Sequence, residues 1–209
     1  MLIAFSSSAR SGQIEQLTDQ FIAEFAKRYG NDARTRVIDW RRIMVENGSS
    51  ADATKREIVN QFFNRIPWLE DAEHWGLTDY WATPLEMLGT NGGDCEDYSI
   101  AKYFTLIEMN VPGSQLLITY VRAPALKQSH MVLAYYASPD ADPLILDNLV
   151  GEIRRGSERT DLIPVYSFNG DGLWVAVQRS LGRNVGNTSS LAQWQDVLRR
   201  METEKSRLN

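Results

Sequence analysis

The spacing of apolar positions divides the chain into a helical first part and a strand-like second part. In residues 13–28, QIEQLTDQFIAEFAKR, the positions Ile14, Leu17, Phe21, Ile22 and Phe25 recur at helical intervals, and Gly30 stands where that helix should end. The same period runs through Val37, Ile38, Trp40, Ile43 and Met44 in residues 35–47, and through Ile58, Val59, Phe62 and Phe63 in residues 51–64. Residues 67–81, PWLEDAEHWGLTDYW, are acidic and aromatic without a clear period, which predicts an ordered loop around a short helical turn. A short helix is expected over residues 84–89, followed by the turn TNGG at 90–93. A longer helix then starts at Asp94 or Cys95 and runs to about Met109, burying Ile100, Ala101, Phe104 and Ile107.

After NVPGS at 110–114 the texture changes. Residues 115–122, 130–137, 144–147, 163–168 and 173–178 are rich in β-branched and aromatic side chains and are separated by turn-forming stretches such as SPDADP and FNGDG. A final helix is expected over residues 191–201, with a charged tail. Helices followed by about five antiparallel strands predict an α+β fold. The 209 residues are enough for one domain with a full core: a helical lobe over about 11–70, a core over about 79–180 and a C-terminal helix over about 189–204.

Composition narrows the partners. The net charge of −5 offers no basic excess to meet phosphates, which argues against nucleic acid. No apolar run reaches the roughly 18 residues a membrane-spanning helix needs. At the start, MLIAFSSSARSGQ, an apolar stretch from Leu2 to Phe5 precedes Ser7-Ser8-Ala9, like the tail of a signal peptide with its small-residue cleavage site. The positive segment that normally opens such a peptide is missing, so a truncated signal and a frayed terminus are both open.

The chemistry converges on GGDCEDYSIAKYFTL, residues 92–106, which holds the one cysteine of the chain. Cys95 opens a helix, where the dipole and free backbone N–H groups favour a thiolate and can stabilise an oxyanion. The glycines before it would let a substrate backbone approach. A lone cysteine is often a small buried hydrophobe, and Asp94, Glu96 and Asp97 beside it should hold the thiol protonated. A cysteine nucleophile needs a base. Of the two histidines, His74 lies in a polar loop with no orienting partner in view, whereas His130 opens a strand and Asp147 ends the next one. Paired antiparallel, those strands set the imidazole beside the carboxylate. A strand-opening histidine can be a surface residue, and an aspartate before asparagine can be a turn former. The joint placement is what makes Cys95, His130 and Asp147 a candidate triad. Trp75, Tyr80 and Trp81, just upstream, could line a cleft or fill the core.

The order of cysteine helix, histidine strand and aspartate strand resembles the transglutaminase-like, papain-related superfamily. Within it, DYWATPLEMLGTNGGDCEDYSIAKYFTL (79–106), SHMVLAYY (129–136), LILDN (144–148), VNQFFNRI (59–66) and WGLTDYW (75–81) resemble the bacterial transglutaminase-like cysteine proteinases, the LapG family. The likeness covers about residues 50–180. It implies a papain/transglutaminase-like fold and a periplasmic, calcium-requiring endopeptidase with Cys95, His130 and Asp147 as nucleophile, base and orienter. It also implies Asp94 and Glu96 as calcium ligands, while Asp97 reads as a first-turn residue that interacts with the helix N-terminus. As partners it implies a large repeat adhesin, cut in its N-terminal region at a paired-alanine site so that biofilm disperses. An inner-membrane cyclic-di-GMP receptor would hold the protease in check. Two other readings remain open: acyl transfer to an amine by the same triad, and an idle binding module.

Overall fold

The computed structural model describes residues 13–126, 128–177 and 180–206. The apolar start with Ser7-Ser8-Ala9, the strand-ending Gln178 and the last three residues lie outside them. Six helices among the described residues, two of them only four residues long, lead into the core: α1 (Gln13–Gln16), α2 (Asp19–Tyr29), α3 (Asn31–Asn47), α4 (Asp52–Phe63), α5 (Asp71–His74) and α6 (Pro84–Thr90). The single helix expected over 13–28 is split because Thr18 takes an extended backbone and its Oγ1 accepts from Phe21 N–H at 3.1 Å, an N-cap that opens α2. Gly30 ends α2 as expected and leads straight into α3, so α3 begins before the first apolar position of its stripe. That stripe, Val37, Trp40 and Met44, is fully buried. Trp40 Nε1 donates to Thr105 Oγ1 at 2.9 Å and so ties the lobe to the next helix.

That helix, α7 (Cys95–Glu108), lies between the lobe and the sheet. It is covered on nearly all sides, and Ile100, Ala101 and Leu106 are fully buried. The strands are β1 (Leu116–Ala123), β2 (Gln128–Tyr135), β3 (Leu144–Leu146), β4 (Arg154–Arg155), β5 (Ile163–Phe168), β6 (Leu173–Val177) and β7 (Ser180–Gly186). They form one antiparallel sheet in the order β4-β3-β2-β1-β5-β6-β7. The five strands expected from the sequence are all present. The two outermost are additions: β4 has two charged residues and β7 is polar with two glycines, so neither carries an apolar signal. The closing helix α8 (Ala192–Ser206) seats Trp194 against Tyr103, Phe104 and Phe168.

One core position breaks the apolar rule. Lys102 is fully buried in α7, and its Nζ has no hydrogen-bond partner among the described residues. Burial pulls its pKa down to about 7, against the opposing pull of Asp147. Between that value and the ordinary 10.5, the unfolded chain holds a proton that the folded chain has lost, so folding stability rises with pH across this window. Lys102→Met should remove that rise. Below pH 7 the variant should be more stable than the wild type by about 1–4 kcal/mol. Paired urea titrations at pH 6 and pH 9 measure both; parallel pH dependences in the two proteins would rule this account out.

Candidate functional site

The site begins at a turn held from inside the protein. Asn91 takes a left-handed backbone (φ 58°) that ends α6 and turns the chain toward Gly92 and Gly93. A Cβ on Gly92 would lie 2.4 Å from Leu69 Cδ1, and one on Gly93 would lie 2.6 Å from Asp97 Oδ2. The room these glycines leave is filled by the protein itself, which corrects the expectation that they admit a substrate backbone. Asp97 is fully buried; Oδ1 accepts from Ala82 N–H at 2.6 Å and Oδ2 from Asp94 N–H at 3.1 Å. It closes the first turn of α7, in keeping with its reading from the sequence. Burial pushes its pKa well above the ordinary carboxylate value, against the pull of those two N–H groups.

Cys95 is the first residue of α7, half-buried, at the end where a helix leaves its first N–H groups without intrahelical partners. Its thiol donates to Glu96 Oε2 at 3.0 Å. Burial, the Glu96 charge and hydrogen bond, and then Asp94 push the thiol well above its ordinary pKa, while the Met131 backbone N–H pulls the other way. His130 lies in β2 opposite Val121 of β1, and Asp147 follows β3, which pairs antiparallel with β2. His130 Nε2 meets Asp147 Oδ1 at 2.8 Å, and both residues are buried. That leaves Nδ1 as the ring nitrogen available to the cysteine. Cys95 and His130 line one cleft, but the thiol's hydrogen bond goes to Glu96.

Asp147 is held from several directions. Oδ1 also accepts from Leu149 N–H at 3.0 Å, Oδ2 accepts from Arg159 Nη2 at 2.8 Å, and the main-chain oxygen accepts from Asn64 Nδ2 at 2.8 Å. Burial pulls its pKa up, but His130, Leu149 N–H and Arg159 outweigh that and hold it at about 2. Neither Arg159 nor Asn64 was singled out in the sequence. An arginine in a turn and an asparagine at a helix end carry no local signal of their target.

Asp94 and Glu96 do not stand alone. Asp71, Asp79 and Glu96 bring one carboxylate oxygen each within 4.8 Å of one another, as do Asp71, Asp94 and Asp97. Asp71 Oδ1 and Asp94 Oδ1 are buried with no hydrogen-bond partner among the described residues. Burial, Glu96 and Asp97 push Asp94 up to about 10, and burial with Glu96 and Asp79 pushes Asp71 up to about 6. Crowded oxygen donors with orphaned buried lone pairs suit a hard divalent cation of the calcium kind. The residues that sequence reasoning missed are Asp71 and Asp79, which lie in the acidic loop; its charge was visible, but not that it folds back over Cys95.

The cleft has a volume of about 600 Å³, and its walls include Trp68, Trp81, Tyr120, Met131, Tyr166 and Leu149. Trp81 is buried and stacks on Phe168, so it serves both core and wall. Trp75 packs against Tyr80 and His74. Trp68, 45% exposed, is with Tyr120 and Tyr166 among the wall aromatics that the sequence did not flag. His74 Nε2 pairs with Thr90 Oγ1 at 2.8 Å, a structural contact in the turn.

Comparison with known proteins places this geometry. Residues 17–180 match the family model described as bacterial transglutaminase-like cysteine proteinase. No curated protein matches the chain. Among solved structures, Legionella pneumophila LapG superposes with a TM-score of 0.76 at 40% identity, covering 87% of this chain and 96% of that one. An EGTA-treated form of that protein gives 0.78 at 41% identity, with 87% and 96% covered. A calcium-bound form gives 0.75 at 40%, with 87% and 98% covered. With its cysteine-bearing helix packed on an antiparallel sheet, this chain belongs to the bacterial transglutaminase-like cysteine proteinases and is a cysteine protease.

Proposed function

We propose that the protein is a calcium-dependent periplasmic endopeptidase that cuts the N-terminal region of a large cell-surface adhesin, with Cys95, His130 and Asp147 as its triad. The observation that carries the reading is the buried 2.8 Å His130–Asp147 pair in the cleft that Cys95 lines, within a chain of this family. His130 Nδ1 takes the proton from Sγ while Nε2–H stays donated to Asp147. The carboxylate fixes the tautomer and stabilises the imidazolium. The thiolate attacks the scissile carbonyl, and first-turn N–H groups of α7 stabilise the oxyanion. The imidazolium then protonates the leaving amine, and water activated by His130 hydrolyses the thioester.

Asp94 and Glu96, with Asp71 and Asp79 beside them, would hold the calcium. When bound, the ion supplies positive charge that offsets the carboxylates now pressing a proton onto sulfur. Glu96 is both a candidate ligand and the acceptor of the thiol hydrogen, so engaging it elsewhere frees the thiol to meet His130. The calcium-bound form of Legionella LapG supports this reading. The adhesin, its Ala-Ala cut, biofilm dispersal and restraint by an inner-membrane cyclic-di-GMP receptor are part of this proposal, and the family likeness is what supports them.

The test is incubation of an adhesin N-terminal fragment with the wild type, with the wild type plus chelator, and with Cys95→Ala. Two shorter fragments from the wild type, absent in both controls, are expected. Cleavage that survives chelation would keep the protease and remove the calcium. An amine adduct in place of shorter fragments would move the assignment to acyl transfer.

A further inference from the structure

Asp147 owes only one side of its carboxylate to His130; the other side belongs to Arg159. We propose that Arg159 is a positioning residue of the protease, which holds Asp147 so that Oδ1 faces the imidazole and which limits how strongly that carboxylate stabilises imidazolium. This rests on the triad reading above.

Arg159 is 5% exposed and donates to three carboxylate oxygens: Nη2 to Asp147 Oδ2 at 2.8 Å, Nη2 to Asp161 Oδ2 at 2.8 Å and Nε to Asp161 Oδ1 at 3.0 Å. The guanidinium is a rigid plane gripped by Asp161 along one edge, so its position is set before it reaches Asp147. Its backbone is also fixed. Arg159 N–H donates to Gly156 O, and Leu162 N–H donates to Arg159 O. The turn over Gly156–Glu158 is tied to the strand-3 approach by Gly156 N–H to Pro143 O at 2.7 Å and Ser157 Oγ to Asp142 Oδ2 at 2.6 Å. The segment after β4 is thus braced against the loop that leads into β3, the strand that Asp147 directly follows.

The consequence is electrostatic as well as geometric. Asp147 Oδ1 already accepts from His130 and Leu149 N–H, so Oδ2 is the oxygen left to rotate or to draw water. Arg159 occupies it with a fixed positive charge. Apart from His130 and Arg159, the charged groups that act on Asp147 are Lys102 of α7 and Asp161, while α4 contributes the neutral Asn64. Removing the Arg159 charge would let Asp147 stabilise imidazolium more strongly. The alkaline limb of the thiolate–imidazolium pair would then move up, while the loosened carboxylate would lower the rate.

The experiment compares wild type, Arg159→Met, Arg159→Lys and Asp161→Asn by two readouts. One is kcat and KM on the adhesin fragment across pH. The other is the pH dependence of Cys95 alkylation by iodoacetamide, which needs no substrate. Arg159→Met should lower kcat about ten- to a hundredfold with KM within about twofold, and should raise the alkaline limb by about half a unit or more. Arg159→Lys should recover the limb and part of kcat, and Asp161→Asn should lower kcat less than Arg159→Met. Wild-type kcat and limb in a folded Arg159→Met would overturn the proposal. If Arg159→Met does not fold, Arg159→Lys and Asp161→Asn decide: wild-type kcat and limb in both would overturn it equally. Failure of the wild type to cut the fragment would count against the adhesin reading, while the alkylation profiles still judge Arg159.

Discussion

On the proposed triad, His130→Ala should lower kcat/KM on the adhesin fragment by roughly a thousandfold or more at pH 7, almost wholly through kcat. The size follows from where the thiol stands. Burial and Glu96 hold the Cys95 proton far above neutral pH, so an unaided sulfur is almost entirely thiol. The Met131 N–H and the first turn of α7 act in the other direction, but they are neutral donors against a carboxylate. In the proposed triad His130 would turn the thiol into a thiolate without free solvent hydroxide, because the cation it would become is already partnered by Asp147. The cleft wall has many other residues, Trp68, Tyr120 and Tyr166 among them, that would hold a peptide, so KM should change little. The rate of Cys95 alkylation near neutral pH should fall in parallel, which separates loss of the base from loss of substrate binding. A variant within tenfold of wild type would show that another group serves as base. His74 is the other histidine, and its ring is committed to Thr90 in the turn.

Much of this was legible in the sequence because the signals were local and redundant. The helix opening at Cys95 follows a turn, carries apolar positions at helical spacing and ends before NVPGS, and α7 matches it within a residue. The strand pair that joins His130 to Asp147 needed only two apolar runs and the loop between them. What stayed hidden depended on contacts far apart in the chain. Asn64 reaches Asp147 across 83 positions, and no spacing rule announces such a partner. Asp71 and Asp79 were visible as charges, but their approach to Glu96 depends on residues 68–81 folding over the start of α7. There Trp68 bridges to Gly93 and Tyr80 N–H is held by the Asp71 carboxylate. Gly92 was misread for a related reason. The void it creates is real, but Leu69 occupies it.

The same fold-back sets up the second large effect, which is the response to calcium. Saturating calcium should raise the wild-type melting midpoint by roughly 5–10 °C over the chelated protein, the shift expected when free ion exceeds Kd about a hundredfold. Asp94→Asn should change both limbs of that comparison in opposite directions. With chelator present, burial, Glu96 and Asp97 keep the Asp94 carboxyl protonated at neutral pH, at a cost to folding that the neutral asparagine avoids, so the variant should melt above the wild type. With calcium present the advantage should reverse, because a ligand with an otherwise unpartnered buried oxygen has been lost. The two added aspartates can be ranked by the same reasoning. Asp71 Oδ1 has no partner, whereas Asp79 already accepts from Trp81 Nε1 and Gln193 Nε2 at 2.9 Å each. Asp71→Asn should therefore remove more of the calcium shift than Asp79→Asn. Calorimetric titration of the folded variants gives the affinities without reference to activity. A full calcium shift retained in Asp94→Asn would take that residue out of the coordination sphere, and an equal shift with magnesium would mean a looser anionic patch rather than a site shaped for the larger ion.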